Sequence, residues 1–384
     1  MKKILSYVWQ YIRRLDLFLL ALAILACGFS ATLIHSLSVN SETQNITNAA
    51  VNTRTVQIQI IAAVLGLGAG LVIALMDYRK ITKLWFLYLP LMIGFTMLTF
   101  TSLGISGLEG ADDKAWIDLG FMTVQPAEFL KIAFILSFSY HCFKTKDFFN
   151  NPLNILGLAV HAMIPIGIVM LQGDDGTAAV FIMITLVIIF VAGLSWKYIA
   201  GAAIIAPIAI YFVWNYYLQP VHKNRILSII NPAKYGTEDL LYQTNLAKIA
   251  LGSGQIDGKG LYGGDYSYVP VCHNDFIFSY IGQTLGYIGC LATVILLGLI
   301  MLRIILNGLR SADDLGKYIC MGVFAYLFTH CVLNIGMVMG VTPVIGIPLP
   351  YISAGGSAML TATVAIGLVL SVYYHQEKFD TLFK

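Results

Sequence analysis

The chain has 384 residues, of which 58% are apolar and only 11% charged, with a formal net charge of +3. Soluble domains carry about 25% charged residues, so a water-exposed globule is excluded. A charge this small and scattered also argues against a nucleic-acid surface.

Long apolar runs and a positive mean hydropathy point instead to a membrane-embedded helical bundle. The first run opens at Leu17, after Lys2, Lys3 and the pair Arg13–Arg14. It lacks an A-x-A-like cleavage site and another run follows closely, so it reads as a first transmembrane helix, not a signal peptide. Crossing the hydrocarbon takes about 20 helical residues. Candidate runs fall at 17–37, 56–76, 84–102, 126–143, 153–171, 177–194, 198–217, 276–302, 317–340 and 357–375. The expected fold is an all-α polytopic membrane protein of about ten transmembrane helices, a single integral membrane domain over residues 1–384.

Lys and Arg set the orientation. With the N-terminus inside, the inner segments collect Lys2, Lys3, Arg13, Arg14, Arg79, Lys80, Lys83, Lys144, Lys146, Lys197, Arg303, Arg310, Lys317, Lys378 and Lys384. The short outer loops hold only Arg54 and Lys114 and are acidic instead: Glu109, Asp112, Asp113, Asp118, Asp174 and Asp175. Both termini are therefore expected in the cytoplasm. Of the six cysteines, Cys27, Cys142, Cys290, Cys320 and Cys331 fall in or beside apolar runs and only Cys272 lies in a long polar loop, which rules out an outer disulfide framework.

That long loop, residues 218–275, is expected outside and structured. Residues 238–251 read as a short amphipathic helix with Leu240, Thr244, Ala247 and Leu251 on one stripe. Gly252 and Gly254 end it, and the glycine-rich stretch GSGQIDGKGLYGG follows. This stretch fails the spacing of a nucleotide-binding P-loop and follows no strand. A loop of this length and texture points to function.

Several polar residues stand out against the apolar background. Asp275, in PVCHNDFIFSYIG, closes the long loop directly before the eighth run, with His273 two residues earlier. It reads either as an N-cap or as a functional carboxylate, and Asn274 could cap equally well. Glu128 and Lys131, three apart in VQPAEFLKIAF, share one helix face and can pair. A lone charge at mid-bilayer costs roughly 2.5 to 3.5 kcal/mol, so the pair is either a structural ion pair or faces a cavity, and intramembrane charge favours the cavity. Asp174 and Asp175, in LQGDDGTAAVF, read equally as helix cap or as acidic rim. Arg225 and the loop lysines could meet a diphosphate-bearing substrate or merely solubilise the loop. Segment 340–357, GVTPVIGIPLPYISAGGS, is interrupted by three prolines and Gly355–Gly356, as expected of backbone lining a cavity. Asn334, inside the ninth run, is expected to face the bundle.

Together these residues resemble the SEDS family, the shape, elongation, division and sporulation proteins, along nearly the whole chain. Asp77–Tyr78–Arg79 matches a family feature after the second run. Gln125–Pro126–Ala127–Glu128 with Lys131 is similar to Q-P-S-E-x-x-K, and Asp174-x-Gly176–Thr177 to D-x-G-T. Tyr242–Gln243 with Ala250-x-Gly252–Ser253–Gly254 resembles Y-Q…A-I-G-S-G. His273-x-Asp275–Phe276–Ile277–Phe278 resembles H-T-D-F-I-F. Pro348–Leu349–Pro350–Tyr351–Ile352–Ser353 with Gly355–Gly356–Ser357 resembles P-L-P-F-I-S-x-G-G-S.

The resemblance implies a ten-helix peptidoglycan glycosyltransferase of the bacterial plasma membrane, closer to the RodA branch than to FtsW. It would polymerise lipid II at the outer face and work with a class B penicillin-binding protein. Asp275 would be the catalytic base. Gln125, Glu128, Lys131, Asp174, Thr177, Arg225, His273, Asn334, Ser353, Gly355, Gly356 and Ser357 would bind substrate. No organic cofactor is implied, and a divalent cation is compatible. The chain departs from the family where Val271 stands for a Glu, where Gln283–Thr284 stand for Glu–Glu, and where Leu246 and Ala247 replace Gln and Ser. A lipid II flippase and a non-catalytic scaffold for the penicillin-binding protein are the alternatives.

Overall fold

The computed structural model describes residue 11 and residues 13–43, 46–47, 51–106, 114–120, 122–218, 220–235 and 238–380. Lys2, Lys3, Glu109, Asp112, Asp113 and Lys384, named above, lie outside the described residues.

Each of the ten expected apolar runs is helical. They form α1 (Leu17–Thr43), α2 (Thr53–Leu75), the short α3 (Tyr78–Lys83) followed by α4 (Trp85–Met97), α5 (Pro126–Lys144), α6 (Pro152–Leu171), α7 (Asp175–Val191), α8 (Trp196–Phe212), α12 (Ile277–Leu309), α13 (Asp314–Met339) and α14 (Gly356–Asp380). The helices begin where small polar residues bind the free N–H groups of the first turn. Asn52, Asp77, Asn151, Asp174 and Asp313 each accept such a bond. α13 stops at Gly340, whose φ of 73° suits glycine at a helix end.

Among the described residues seven helices, α1, α2, α6, α8, α12, α13 and α14, are long and apolar enough to cross a membrane. Trp85–Phe100 and α7 are shorter apolar helices. α5 carries Glu128, Lys131 and Lys144 within its 19 residues.

The long loop holds more structure than its sequence suggests. Besides α11 (Glu238–Ser253), it contains α9 (Pro220–Ile230) and one turn, α10 (Pro232–Tyr235). α11 buries Thr244 and Ala247, as its stripe predicts. A small antiparallel sheet, β1 (Gly104–Ile105), β2 (Trp116–Asp118) and β3 (Thr123–Val124), adds the only strands among the described residues. Ile117 pairs with both Gly104 and Val124, and β3 delivers the chain directly to Gln125 and α5.

α12 is broken near its start, because Gly286 has φ 64° and ψ −162°. The break leaves main-chain groups without helical partners, and the glycine-rich stretch supplies them. Lys259 N donates to Gln283 O and Gly260 N to Thr284 O, while Tyr287 N donates to Gln255 O and Ile288 N to Ile256 O. Side chains could not fit there: a Cβ on Gly254 would meet the backbone of Gly282, and one on Gly258 the backbone of Thr284.

α14 packs most extensively on α2. At the end of the bundle away from Asp275, buried polar groups tie the helices together. Asp16 accepts from Arg303 Nε at 2.6 Å and from Asn307 Nδ2 at 2.7 Å. Asp313 accepts from Tyr78 OH at 2.9 Å and Arg79 Nε at 2.5 Å, which gives Asp77–Tyr78–Arg79 a clasping role.

Candidate functional site

α5 enters the bundle at Pro126, and one turn inside it Lys131 is fully buried, with 0% of its surface exposed. Its Nζ donates to Glu128 Oε1 at 2.8 Å and lies 3.0 Å from His330 Nε2. The ammonium also stands 5.2 Å from the Tyr326 ring centroid, and Tyr326 OH donates to Glu128 Oε2 at 3.5 Å. Two charges in so dry a place persist only when paired and hydrogen-bonded.

Asp174 lies beside this pair. Its Oδ1 accepts from Thr177 N at 2.8 Å, and its Oδ2 accepts from Gln125 Nε2 at 2.7 Å. The cap expected from the sequence therefore forms, and the same carboxylate reaches the start of α5. Burial raises the Asp174 carboxyl above the usual carboxylate range, and the Thr177 hydrogen bonds and Lys131 pull it back. Gly176 leaves no room for a side chain, since a Cβ there would stand 2.7 Å from Ile345 O.

Asp275 is half-buried, at the end of a turn that leads into α12. The N-cap position of α12 is Phe276, whose side chain makes no cap bond, so Asp275 stands one residue before the position expected of a cap. Asn334 Nδ2 donates at 2.7 Å both to Asp275 O and to Ile347 O. A Cβ on Gly346 would stand 3.6 Å from Asp275 Oδ2. The carboxylate thus faces the proline-rich segment. That segment is non-helical from 341 to 355 and is held from several sides. Ser353 Oγ donates to Asn274 O at 2.6 Å, Ala354 N to His273 O at 2.8 Å, and Gly355 N to Gln59 Oε1 at 3.1 Å. Gln59 Nε2 returns to Ser353 O at 3.0 Å. Ser357 Oγ accepts from Gln125 N at 3.5 Å, and Gly356 opens α14 against Met122.

Half-buried His273 has a buried Nδ1 with no partner, and desolvation lowers its imidazole to about 4. Arg225 lies on α9 and donates to Val344 O at 3.3 Å. With Lys248 it lines a cavity of about 130 Å³ beside Gly340 and Pro343. It therefore adjoins the Asp275 segment through residues 344–346. Among the described residues no three His, Cys, Asp or Glu side chains gather as a metal cradle.

A family model described as cell cycle protein, FtsW/RodA/SpoVE, matches residues 16–378. The chain belongs to the FtsW/RodA/SpoVE family. Peptidoglycan glycosyltransferase MrdB of Escherichia coli K12 is 30% identical over 315 residues, 80% of this chain and 84% of its own. Probable peptidoglycan glycosyltransferase FtsW of Geobacter metallireducens is 30% identical over 374 residues, 94% and 95% of the two chains. The fold is shared with the rod shape determining protein RodA of Thermus thermophilus, at a TM-score of 0.65 and 22% identity over 94% and 96% of the chains. A chain from the solved structure of a peptidoglycan synthase complex gives a TM-score of 0.77 at 22% identity, over 94% and 98%. The protein is accordingly a multi-pass bacterial membrane protein.

In this FtsW/RodA/SpoVE member the structure adds three buried residues that sequence reading passed over. Gln59 and Ser30 brace 352–355, with Ser30 Oγ donating to Ile352 O at 2.8 Å. His330 touches Lys131. All three are polar residues inside apolar runs, a legible signal of bundle-facing positions.

Proposed function

We propose that this protein is a peptidoglycan glycosyltransferase that polymerises lipid II at the outer face of the plasma membrane. Asp275 acts as general base, and both termini lie in the cytoplasm. The observation that carries this reading is the attachment of Asp275. Asn334 bonds both the aspartate's backbone and the proline-rich segment at 2.7 Å, which supports a residue anchored at the end whose short loops carry only Arg54 and Lys114.

The chemistry follows from a carboxylate that faces the proline-rich segment. Asp275 takes the proton from the acceptor sugar hydroxyl as that oxygen attacks the donor's anomeric carbon, and undecaprenyl diphosphate leaves. Positive charge on the leaving side comes from Lys131 or Arg225. Asp275 would be the carboxylate to hold a divalent cation, which when bound would supply positive charge for the leaving diphosphate. Lys131 lies five residues inside α5, about 7.5 Å along its axis. That depth suits chemistry near one face better than a transport site at the midplane. A class B penicillin-binding protein is the expected partner, in keeping with the fold shared with the peptidoglycan synthase chain.

The test is strand polymerisation on lipid II by purified protein with its penicillin-binding partner, comparing wild type with Asp275→Asn. Polymer from wild type and none from the folded variant supports the base. Equal polymer from both removes Asp275 from the mechanism. No polymer from either, where a related enzyme works, favours a scaffold or flippase.

A further inference from the structure

α13 presents Tyr326, His330 and Asn334 at successive intervals of four residues, along one face. Each reaches a different part of the site. Tyr326 touches Glu128, and Asn334 touches Asp275 and Ile347. His330, 2% exposed, stands between them with a partner on each ring nitrogen. Nδ1 is 3.1 Å from Pro348 O, and Nε2 is 3.0 Å from Lys131 Nζ.

The partners assign the tautomer. Pro348 O can only accept, so Nδ1 carries the hydrogen and donates. Nε2 is then a lone pair, and Lys131 donates to it. Only a neutral imidazole with this tautomer satisfies both sides.

The geometry explains why a second helix is needed. Glu128 sits on the same helix as Lys131, and Tyr326 of α13 meets the ammonium only through its ring face at 5.2 Å, so neither contact ties the ammonium to the proline-rich segment. A lysine stem also has several rotatable bonds whose freedom must be given up to hold the ammonium in place. His330 removes that freedom from a different helix and, with the same ring, fixes Pro348. We propose that His330 is a positioning residue for glycosyl transfer, holding the Lys131 ammonium and segment 341–355 in one arrangement in front of Asp275. This rests on the reading of Asp275 as the base.

Two substitutions separate positioning from packing. The His330 ring meets Tyr326 edge-on at 4.9 Å. His330→Phe keeps that aromatic contact and loses both hydrogen bonds. His330→Gln retains an acceptor for Lys131 and a donor for Pro348. The experiment measures kcat and KM for lipid II polymerisation with the penicillin-binding partner, for wild type, both variants and Asp275→Asn. Alongside it, amide hydrogen exchange of residues 345–353 is followed in the same preparations. A lost hydrogen bond to a charged group and a misplaced reacting group predict a fall in kcat of about 10- to 100-fold for His330→Phe, with KM nearly unchanged. Exchange at 345–353 should quicken in His330→Phe, and His330→Gln should recover both readouts.

Wild-type kcat and wild-type exchange in His330→Phe would overturn the proposal. So would a His330→Gln enzyme as slow as His330→Phe, because a bond-restoring side chain would then have restored nothing. Full activity of Asp275→Asn strikes the base assignment instead. In that case the exchange comparison, which needs no turnover, still decides whether His330 clamps the segment.

Discussion

A lysine ammonium with no exposed surface persists only if its charge and its N–H groups are met, and Lys131 meets them through Glu128, His330 and the face of Tyr326. Removing one member of a buried pair leaves the other unpaired and costs about 3–5 kcal/mol, whereas removing both can be nearly neutral. Glu128→Gln and Lys131→Met should therefore each lower the thermal midpoint in detergent, and the double substitution should recover most of the loss. If the double variant is as unstable as the sum of the singles, the two side chains do not act as a pair. Polymerisation should stay low in all three, since each breaks the ion pair beside Asp174. The pair was legible in the sequence from its spacing, but His330 was not assigned, because a lone histidine in an apolar run carries no spacing of its own until Asn334 four residues on is counted with it. His273 gives a second test at this scale. Its imidazole titrates at about 4 in the folded loop against an ordinary 6.5. Between those values the unfolded loop binds the proton more readily, so stability is full above 6.5 and is lost as pH falls towards 4. Proteolysis of the loop should rise across that range in wild type and stay flat in His273→Gln; a flat wild-type profile would show that the ring is not dry.

α12 and the loop before it are one unit, because the broken turn at Gly286 and the glycine-rich stretch satisfy each other's main-chain groups. A Cβ on Gly286 would run into Ile256 O and Gly258 N, and its φ of +64° is itself strained for any other residue. Gly286→Ala should cost about 1–3 kcal/mol, free residues 254–276 for proteolysis, and reduce polymerisation while the bundle stays folded. Gly298→Ala, on the same helix with open space around it, should be neutral or slightly stabilising, because alanine suits a helix better than glycine. Equal behaviour of the two variants would mean that the break does not anchor the loop. The sequence announced α12 and the glycine-rich stretch but not their union: Gly286 is one of five glycines in a 33-residue apolar helix, and none of them stands out from a tolerated residue. α9 was missed for a related reason. Its Pro220 is a good first-turn residue, yet Lys223 and Arg225 read as loop cations. The strands β1 to β3, two or three residues each, are shorter than any alternation that could reveal them.

The molecule as a whole turns apolar side chains outward, among them Val64, Leu65, Ile164 and Ile204, and lipid tails receive these as readily as another helix would. Burial of apolar area therefore contributes little to association between the helices, which depends on close packing and on polar ties. Both are visible. At the end away from Asp275, Asp16 and Asp313 gather Arg303, Asn307, Tyr78 and Arg79. Along α2 and α14, small residues let the backbones approach: a Cβ on Gly70 would lie 3.0 Å from Thr363 O and 3.4 Å from Gly367 Cα, and one on Gly367 would strike the Gly70 backbone. α2 also carries Gln59, which braces Ser353 and Gly355 beside Asp275, so the spacing of these two helices sets the position of the site. Gly367→Leu must push them apart. Overpacking of this kind costs about 1–3 kcal/mol, so the thermal midpoint should fall. Polymerisation should fall with it even at temperatures where the bundle is folded, because the Gln59 brace moves with α2. Gly68→Leu places the same side chain on the exposed face of α2, where nothing lies within 4 Å, and should leave both readouts as in wild type. A Gly367→Leu protein with normal stability and turnover would mean that the helix pair yields without disturbing the site, and that the brace at Gln59 does not couple bundle spacing to catalysis.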